Sequence, residues 1–155
     1  MYSIGDKISY PMYGAGIVES IERQEVLGET RDYYVLTFML GGITVKVPIR
    51  NVSEVGMRNI ISKDQVKEVI EHLKNGECDE CQNWNRRYRE NLEKLRSGNI
   101  FDVADVVRML SIRDKEKGLS TGERKMLSNA RQILLSELSL ASGKCESEVE
   151  ELIEA

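Results

Sequence analysis

The spacing of apolar residues changes once along this chain, between residues 55 and 62. Before that point, short apolar stretches such as residues 4–10 and 33–38 alternate with polar residues and end near glycine or proline, which is typical of β-strands. After Ser62, apolar residues recur every three or four positions, which is typical of amphipathic helices. The sequence therefore predicts an α+β protein, with a β domain over residues 1–56, a helical domain over residues 62–155 and a linker at about 57–61.

The β part contains short strand patterns with no helical pattern between them. We predict strands at residues 4–10, 17–22, 33–38 and 43–48, with Gly41-Gly42 as a two-residue hairpin turn. Four or five such strands predict a small barrel. Because side chains fill the interior of a barrel of this size, we expect this domain to bind a partner and not to enclose a catalytic cavity.

The helical part carries clear start and stop signals. Ser62 with Gln65 and Ser120 with Glu123 have the spacing of capping boxes, which open helices. Glycines at positions 98, 118 and 143 are typical of residues that end helices. Together with the apolar spacing, these signals predict helices at about 64–74, 84–96, 101–117, 121–141 and 147–154.

Charge is distributed unevenly along the chain. The net charge is −4, yet residues 84–131 hold twelve Lys/Arg against seven Asp/Glu, whereas residues 136–155 hold one against six. Affinity for nucleic acid comes largely from neutralising phosphates. If this protein binds DNA or RNA, the sequence predicts that residues 84–131 make the contact. The simpler alternative is a set of helical surfaces that carry both signs of charge.

The chain's one tryptophan, Trp84, stands close to Arg86, Arg87 and Arg89. An apolar ring beside cations suits a wedge that parts base steps from the minor groove while the cations hold phosphates. Arg87 is three residues from Trp84, so its head can lie beside the exposed edge of the ring. A tryptophan in the first turn of an amphipathic helix is also a common packing residue. From the residues alone, both interpretations stay open.

Catalytic and metal-binding patterns are weak in this sequence. His72 is the only histidine, and there is no phosphate-binding loop of the GxxxxGK[ST] or GxGxxG type. Cys78 and Cys81 form a CxxC pair, but only Cys145 and His72 remain to complete a zinc site, and neighbouring carboxylates oppose thiolate formation. We therefore predict no enzyme, no metal, no cofactor and no small-molecule substrate. A zinc or redox site at the cysteine pair stays as an alternative.

No apolar run approaches the ~18 residues of a membrane span, and the N-terminus lacks the pattern of a secretory signal. We therefore expect a cytoplasmic protein that does not bind membranes.

Four segments of the chain, in this order, resemble those of a known protein family. They are GDKISYPMYGAGIVESIE, TVKVPIRNVSEVGMR, NWNRRYRENLEKLRSGNIFDVADVVRML and RDKEKGLSTGERKMLSNARQILLSEL. Over residues 1–141 the chain resembles the CarD family of bacterial transcription regulators, also called CdnL-type. The resemblance implies an N-terminal Tudor-like barrel that docks on the β subunit of RNA polymerase. It also implies a helical domain that meets promoter DNA at the upstream edge of the melted bubble.

The resemblance also assigns roles to individual residues. It implies that Trp84 wedges into the minor groove at the upstream fork of the −10 region. The basic residues implied to contact or face DNA are Arg86, Arg87, Arg89 and Lys125. On the β domain, Lys46 matches a basic residue that faces the polymerase, whereas Gln24 stands where the family has a basic residue. Arg23, next to Gln24, is expected to substitute if it lies on the same strand face.

The expected function is a non-enzymatic transcription regulator, associated with the nucleoid through RNA polymerase, that stabilises the open promoter complex. The alternative is an adaptor that binds the polymerase through its β domain and recruits another protein through its helices, without touching DNA.

Overall fold

The structure, a computed structural model, describes residues 2–75 and 83–154. An antiparallel sheet comes first. Its strands are β1 (Lys7–Tyr10), β2 (Gly14–Val26), β3 (Glu29–Phe38), β4 (Thr44–Pro48) and β5 (Arg58–Asn59), in the order β4-β3-β2-β1-β5. The sheet packs one face around Tyr34, Leu36 and Phe38, which alternate along β3 and are almost fully buried. The predicted α+β class with a Tudor-like β domain is confirmed.

The hairpin of β2 and β3 extends beyond the β core. The sequence predicted strands that stop at residue 22 and resume at residue 33, but the two strands pair as far as Val26 and Glu29. The turn between them is Leu27-Gly28, where both residues have positive φ, and Leu27 is 99% exposed. Because this end of the hairpin has no core beneath it, its residues do not alternate between apolar and polar.

Five helices follow in the described part of the chain. They are α1 (Lys63–Asn75), α2 (Trp84–Arg96), α3 (Ile100–Glu116), α4 (Thr121–Ser142) and α5 (Glu146–Glu154). Every end lies within one residue of its prediction. Both capping boxes cap their helices: the Ser62 hydroxyl accepts from the amide of Gln65 at 3.2 Å, and the Ser120 hydroxyl accepts from the amide of Glu123 at 3.2 Å. None of these helices combines the length and apolar character that crossing a bilayer requires.

A buried carboxylate on α4 joins the sheet to the helices. Glu137 is 1% exposed and accepts two hydrogen bonds from the guanidinium of Arg58, at 2.7 and 2.9 Å. It also accepts from the amide of Ile61 at 3.0 Å. Arg58 belongs to β5, which pairs with β1, and its Nε donates to the carbonyl oxygen of Gly98 at 2.7 Å. The segment expected to be a linker, at about 57–61, therefore contributes a strand and holds α4.

The start of β2 lies directly against α4. The amide of Ala15 donates to the hydroxyl of Ser136 at 3.1 Å. Gly14 has φ of +86°, and a Cβ at this position would lie 2.7 Å from the Ser136 hydroxyl oxygen. A side chain at position 14 would therefore strain the backbone and push against the helix.

Candidate nucleic-acid interface

Trp84 is the first residue of α2. The side chain of Asn83 caps this helix by accepting from the amide of Arg86 at 2.9 Å, as a good N-cap residue does. The cap places the indole at the surface, where Trp84 is 44% exposed. The ring is therefore neither sealed inside the helical core nor free of contacts.

Two side chains hold the indole. Its ring stacks on that of Tyr88, one turn along α2, with centroids 5.0 Å apart and planes 19° from parallel. Its Nε1 donates to the hydroxyl of Ser120 at 3.0 Å. A Cβ at Gly122 would lie 3.7 Å from the Tyr88 ring and 3.8 Å from the indole, so the first turn of α4 borders both rings. Tyr88 was not among the predicted site residues, although it lies four residues from Trp84, the spacing at which helical side chains meet.

Beneath the rings lies a buried ion pair. Arg87 is 8% exposed, and its Nε and Nη2 donate to the two carboxylate oxygens of Glu123 at 2.8 and 3.1 Å. Glu123 is 2% exposed. The hydrogen bonds from Arg87 hold the pKa of the Glu123 carboxyl below its usual value, against the opposing effect of burial.

This geometry corrects one prediction. Arg87 was expected at the surface beside the ring, in contact with the DNA backbone. Its guanidinium instead points into the helical domain and forms an ion pair with Glu123. The spacing of three residues from Trp84 does place Arg87 near the ring, but on the buried side. We therefore remove Arg87 from the candidate DNA contacts.

The remaining predicted cations are exposed. Arg86 and Arg89 are three residues apart on α2, and Arg86 pairs with Glu90 at 3.2 Å. Lys125 lies early in α4, the helix whose first turn borders the indole, and Arg124 next to it is exposed as well. Exposed cations thus stand on both helices that meet at Trp84. Arg124 was not among the predicted contacts, although it directly precedes Lys125.

The candidate polymerase contacts lie on the sheet. The Nζ of Lys46 pairs with the Glu22 carboxylate at 2.9 Å, and this hydrogen bond and charge lower the pKa of Glu22. Gln24 also reaches Glu22, at 3.3 Å. Glu22 and Gln24 are two residues apart on β2 and so point to one face of the sheet, with Lys46. We call Lys46, Glu22 and Gln24 the Lys46 face.

Arg23 does not belong to that face. It lies between Glu22 and Gln24, so it points to the opposite side of the hairpin. There it pairs with Asp32, its direct cross-strand partner, at 3.0 Å. The expectation that Arg23 substitutes for the basic residue replaced by Gln24 is therefore wrong.

The alternative metal site falls partly outside the described residues, because Cys78 and Cys81 both lie between 75 and 83. Cys145 is exposed, with its sulfur 3.2 Å from Glu148. The Nε2 of His72 lies 2.6 Å from Asp105. Within residues 2–75 and 83–154, no cluster of three or more His, Cys, Asp or Glu side chains is arranged to hold a metal.

Comparison with known proteins defines the class to which this chain belongs. Residues 2–61 match the model of the CarD-like/TRCF RID domain, and residues 68–154 match that of the CarD C-terminal domain. The first match covers the sheet, and the second covers most of the helical region. The chain therefore belongs to the CarD family of transcription factors.

One curated relative agrees with this assignment. The chain is 38% identical over 149 residues to the "Putative transcription factor YdeB" of Bacillus subtilis (strain 168), covering 96% of this chain and 97% of the relative. It is also similar to a solved structure, "CdnLNt from Myxoccoccus xanthus", with 42% sequence identity. That match covers 40% of this chain and 87% of the solved chain, at a TM-score of 0.35.

Proposed function

We propose that this protein docks on the β subunit of RNA polymerase through the Lys46 face. We further propose that it stabilises the open promoter complex by placing Trp84 in the minor groove at the upstream fork of the −10 region. One observation carries the proposal: an indole that is 44% exposed is held at the junction of two helices that both present exposed cations. Arg86, Arg89 and Lys125 are the proposed backbone contacts. The protein would then lie with the nucleoid in the cytoplasm.

The physical basis is selective binding to one of two states. Promoter opening is reversible, and a protein that binds the open form more tightly shifts the equilibrium towards it. An indole at the fork replaces the base stacking that is lost where the strands separate. Closed duplex offers no such gap. A difference in binding of about 1.4 kcal/mol changes the ratio of open to closed complex tenfold.

Attachment to the polymerase would explain how a chain with a negative net charge can bind DNA. A chain with a net charge of −4 is a poor DNA binder by itself. If the β domain is attached to the polymerase, the helical domain meets the promoter at a high effective concentration, so a few cations suffice. Little base-specific recognition is expected, because the minor groove distinguishes base pairs poorly.

The test is the lifetime of the open complex with Trp84→Ala. Stacking of one aromatic ring on a base contributes about 1–3 kcal/mol, so we expect the protein's stabilising effect to fall by about 5- to 150-fold. Because the indole is half exposed, folding and polymerase binding should change little. These are checked by thermal unfolding and by co-purification with the polymerase.

An unchanged lifetime with Trp84→Ala would contradict the proposal, as would loss of polymerase binding or of the folded state in that variant. A crosslinking test on forked DNA, with polymerase present, separates the adaptor alternative. No crosslink from the helical domain would favour an adaptor that recruits another protein.

A further inference from the structure

The indole of Trp84 is fixed by a chain of polar contacts that begins in the helical core. Arg87 binds Glu123, Glu123 lies beside Ser120, and Ser120 binds the indole. Arg87 and Glu123 are buried, whereas Ser120 and Trp84 are exposed. The buried ion pair is thereby connected, through one hydroxyl, to the ring that we propose to enter DNA.

The Ser120 hydroxyl uses its full hydrogen-bonding capacity in this chain. It accepts from the amide of Glu123 at 3.2 Å and from the indole Nε1 at 3.0 Å, and it donates to Oε1 of Glu123 at 3.4 Å. A hydroxyl has two acceptor positions and one donor hydrogen. Since Glu123 receives that hydrogen, both acceptor positions remain for the helix cap and for the indole.

The ring is therefore constrained in two independent ways. Stacking on Tyr88 sets the plane of the indole, with 19° between the two rings. The hydrogen bond to Ser120 sets which edge of the indole points towards α4. An indole held only by the stacking contact could slide or rotate within that plane. With both contacts, one edge is fixed against the protein and the rest remains available.

We propose that Ser120 is a positioning residue for Trp84, which holds the indole in its DNA-competent orientation before DNA is met. This inference depends on the proposed function of Trp84. Ordering a free side chain at an interface costs about 0.5–1.5 kcal/mol, a factor of roughly two to ten in affinity. An indole that is already ordered by Ser120 avoids that cost when it enters the fork.

The test is Ser120→Ala, read in two ways. The free protein has one tryptophan, so fluorescence excited where tyrosine does not absorb reports on Trp84 alone. We expect lower anisotropy of Trp84 in the variant, since the ring gains freedom. We expect the effect on open-complex lifetime to fall roughly two- to tenfold, less than with Trp84→Ala. Ser120→Thr keeps a hydroxyl at the helix cap and should restore both signals.

Ser120 also caps α4, so a matched control must remove a cap without touching the indole. Ser62→Ala does so, because Ser62 caps α1 through the same contact, from the amide three residues on, at the same 3.2 Å. Both alanine variants should lose similar stability, about 1 kcal/mol. Only Ser120→Ala should change the anisotropy and the open-complex lifetime.

Three outcomes would overturn the inference by contradicting the role of Ser120 directly. The first is equal shortening of the lifetime by Ser62→Ala and Ser120→Ala, which would assign the effect to helix stability. The second is unchanged anisotropy in Ser120→Ala. The third is a normal lifetime with Ser120→Ala while Trp84→Ala shortens it, which removes the role of Ser120 and leaves the proposed function intact. If Trp84→Ala itself has no effect, the proposed function fails, and the inference fails with it.

Discussion

The surface around Trp84 rests on a buried ion pair, whereas the Lys46 face consists of exposed charges. Arg87 and Glu123 are 8% and 2% exposed and share two hydrogen bonds beneath the indole. Lys46 and Glu22 share one contact of 2.9 Å, and both side chains are more than two-fifths exposed. The first arrangement fixes the direction of a ring. The second presents a charge whose position is set by a flexible side chain.

The difference matches what each surface is proposed to do. An indole that enters a gap between bases must be aimed, and a support inside the protein resists displacement. A lysine that meets a charged partner needs only the correct face of the sheet, since charge complementarity acts mainly on encounter and specificity. The two surfaces should therefore respond differently to mutation, to pH and to salt.

The largest effect is expected from Arg87→Ala. Removing the cation leaves the Glu123 carboxylate buried without its ion-pair partner, which typically costs about 3–5 kcal/mol. We expect the free energy of unfolding to fall by that amount in urea denaturation. The matched control is Arg86→Ala, one residue earlier and exposed, where the loss should be within about 1 kcal/mol. Equal losses in the two variants would mean that the buried pair does not support the Trp84 surface.

A smaller effect is expected from acid. Because hydrogen bonds from Arg87 lower the pKa of Glu123 in the folded state, this pair stabilises the protein above the unfolded-state pKa of about 4.3 and loses that contribution as pH falls through the folded-state value. Glu123→Gln should therefore be less stable than the native protein at neutral pH. The difference in the free energy of unfolding between the variant and the native protein should become smaller in acid.

Urea unfolding across this pH range measures that difference, with Glu22→Gln as the control. The pKa of Glu22 is also lowered, mainly by its contact with Lys46, but that pair is exposed. Any acid dependence due to Glu22 should disappear at high salt, whereas that due to Glu123 should persist. If high salt also removed the acid dependence due to Glu123, that result would count against the distinction between the two surfaces.

The smallest effect on folding is expected from Lys46→Glu, which should weaken association with RNA polymerase several-fold without changing the unfolding of the helical domain. Arg23→Glu is the matched control, because Arg23 is also exposed and paired with a carboxylate but lies on the opposite side of the hairpin. Pull-down with the polymerase compares them. Equal weakening by both variants would show that the face of the sheet does not matter.

Helix ends and the fold class were predictable because their signals are local. Ser120 caps α4 through Glu123, three residues on, and Gly143 ends the same helix with φ of +75°. Both signals depend only on the backbone nearby. The predicted bounds of α2 match the structure at both ends for the same reason, with its cap at Asn83.

The burial of Arg87 was not predictable in this way. Its partner Glu123 lies 36 residues further along the chain, and only the packing of α2 on α4 brings them together. The spacing of Arg87 from Trp84 gave the correct neighbourhood but not the correct side of the helix. The ends of β2 and β3 were missed because strand prediction relied on alternation, which is absent where the hairpin leaves the core.

Two buried glutamates lie on the same helix, α4. Glu123 near the start of α4 supports the indole, and Glu137 near its end binds Arg58 of the sheet. About four turns and 21 Å of helix axis separate them. One added residue would move one end about 1.5 Å further from the other and rotate it by more than a quarter turn. In the proposed complex, the length of α4 would therefore set the distance from the polymerase to the fork, and we expect α4 to tolerate insertions far less than the hairpin tip does.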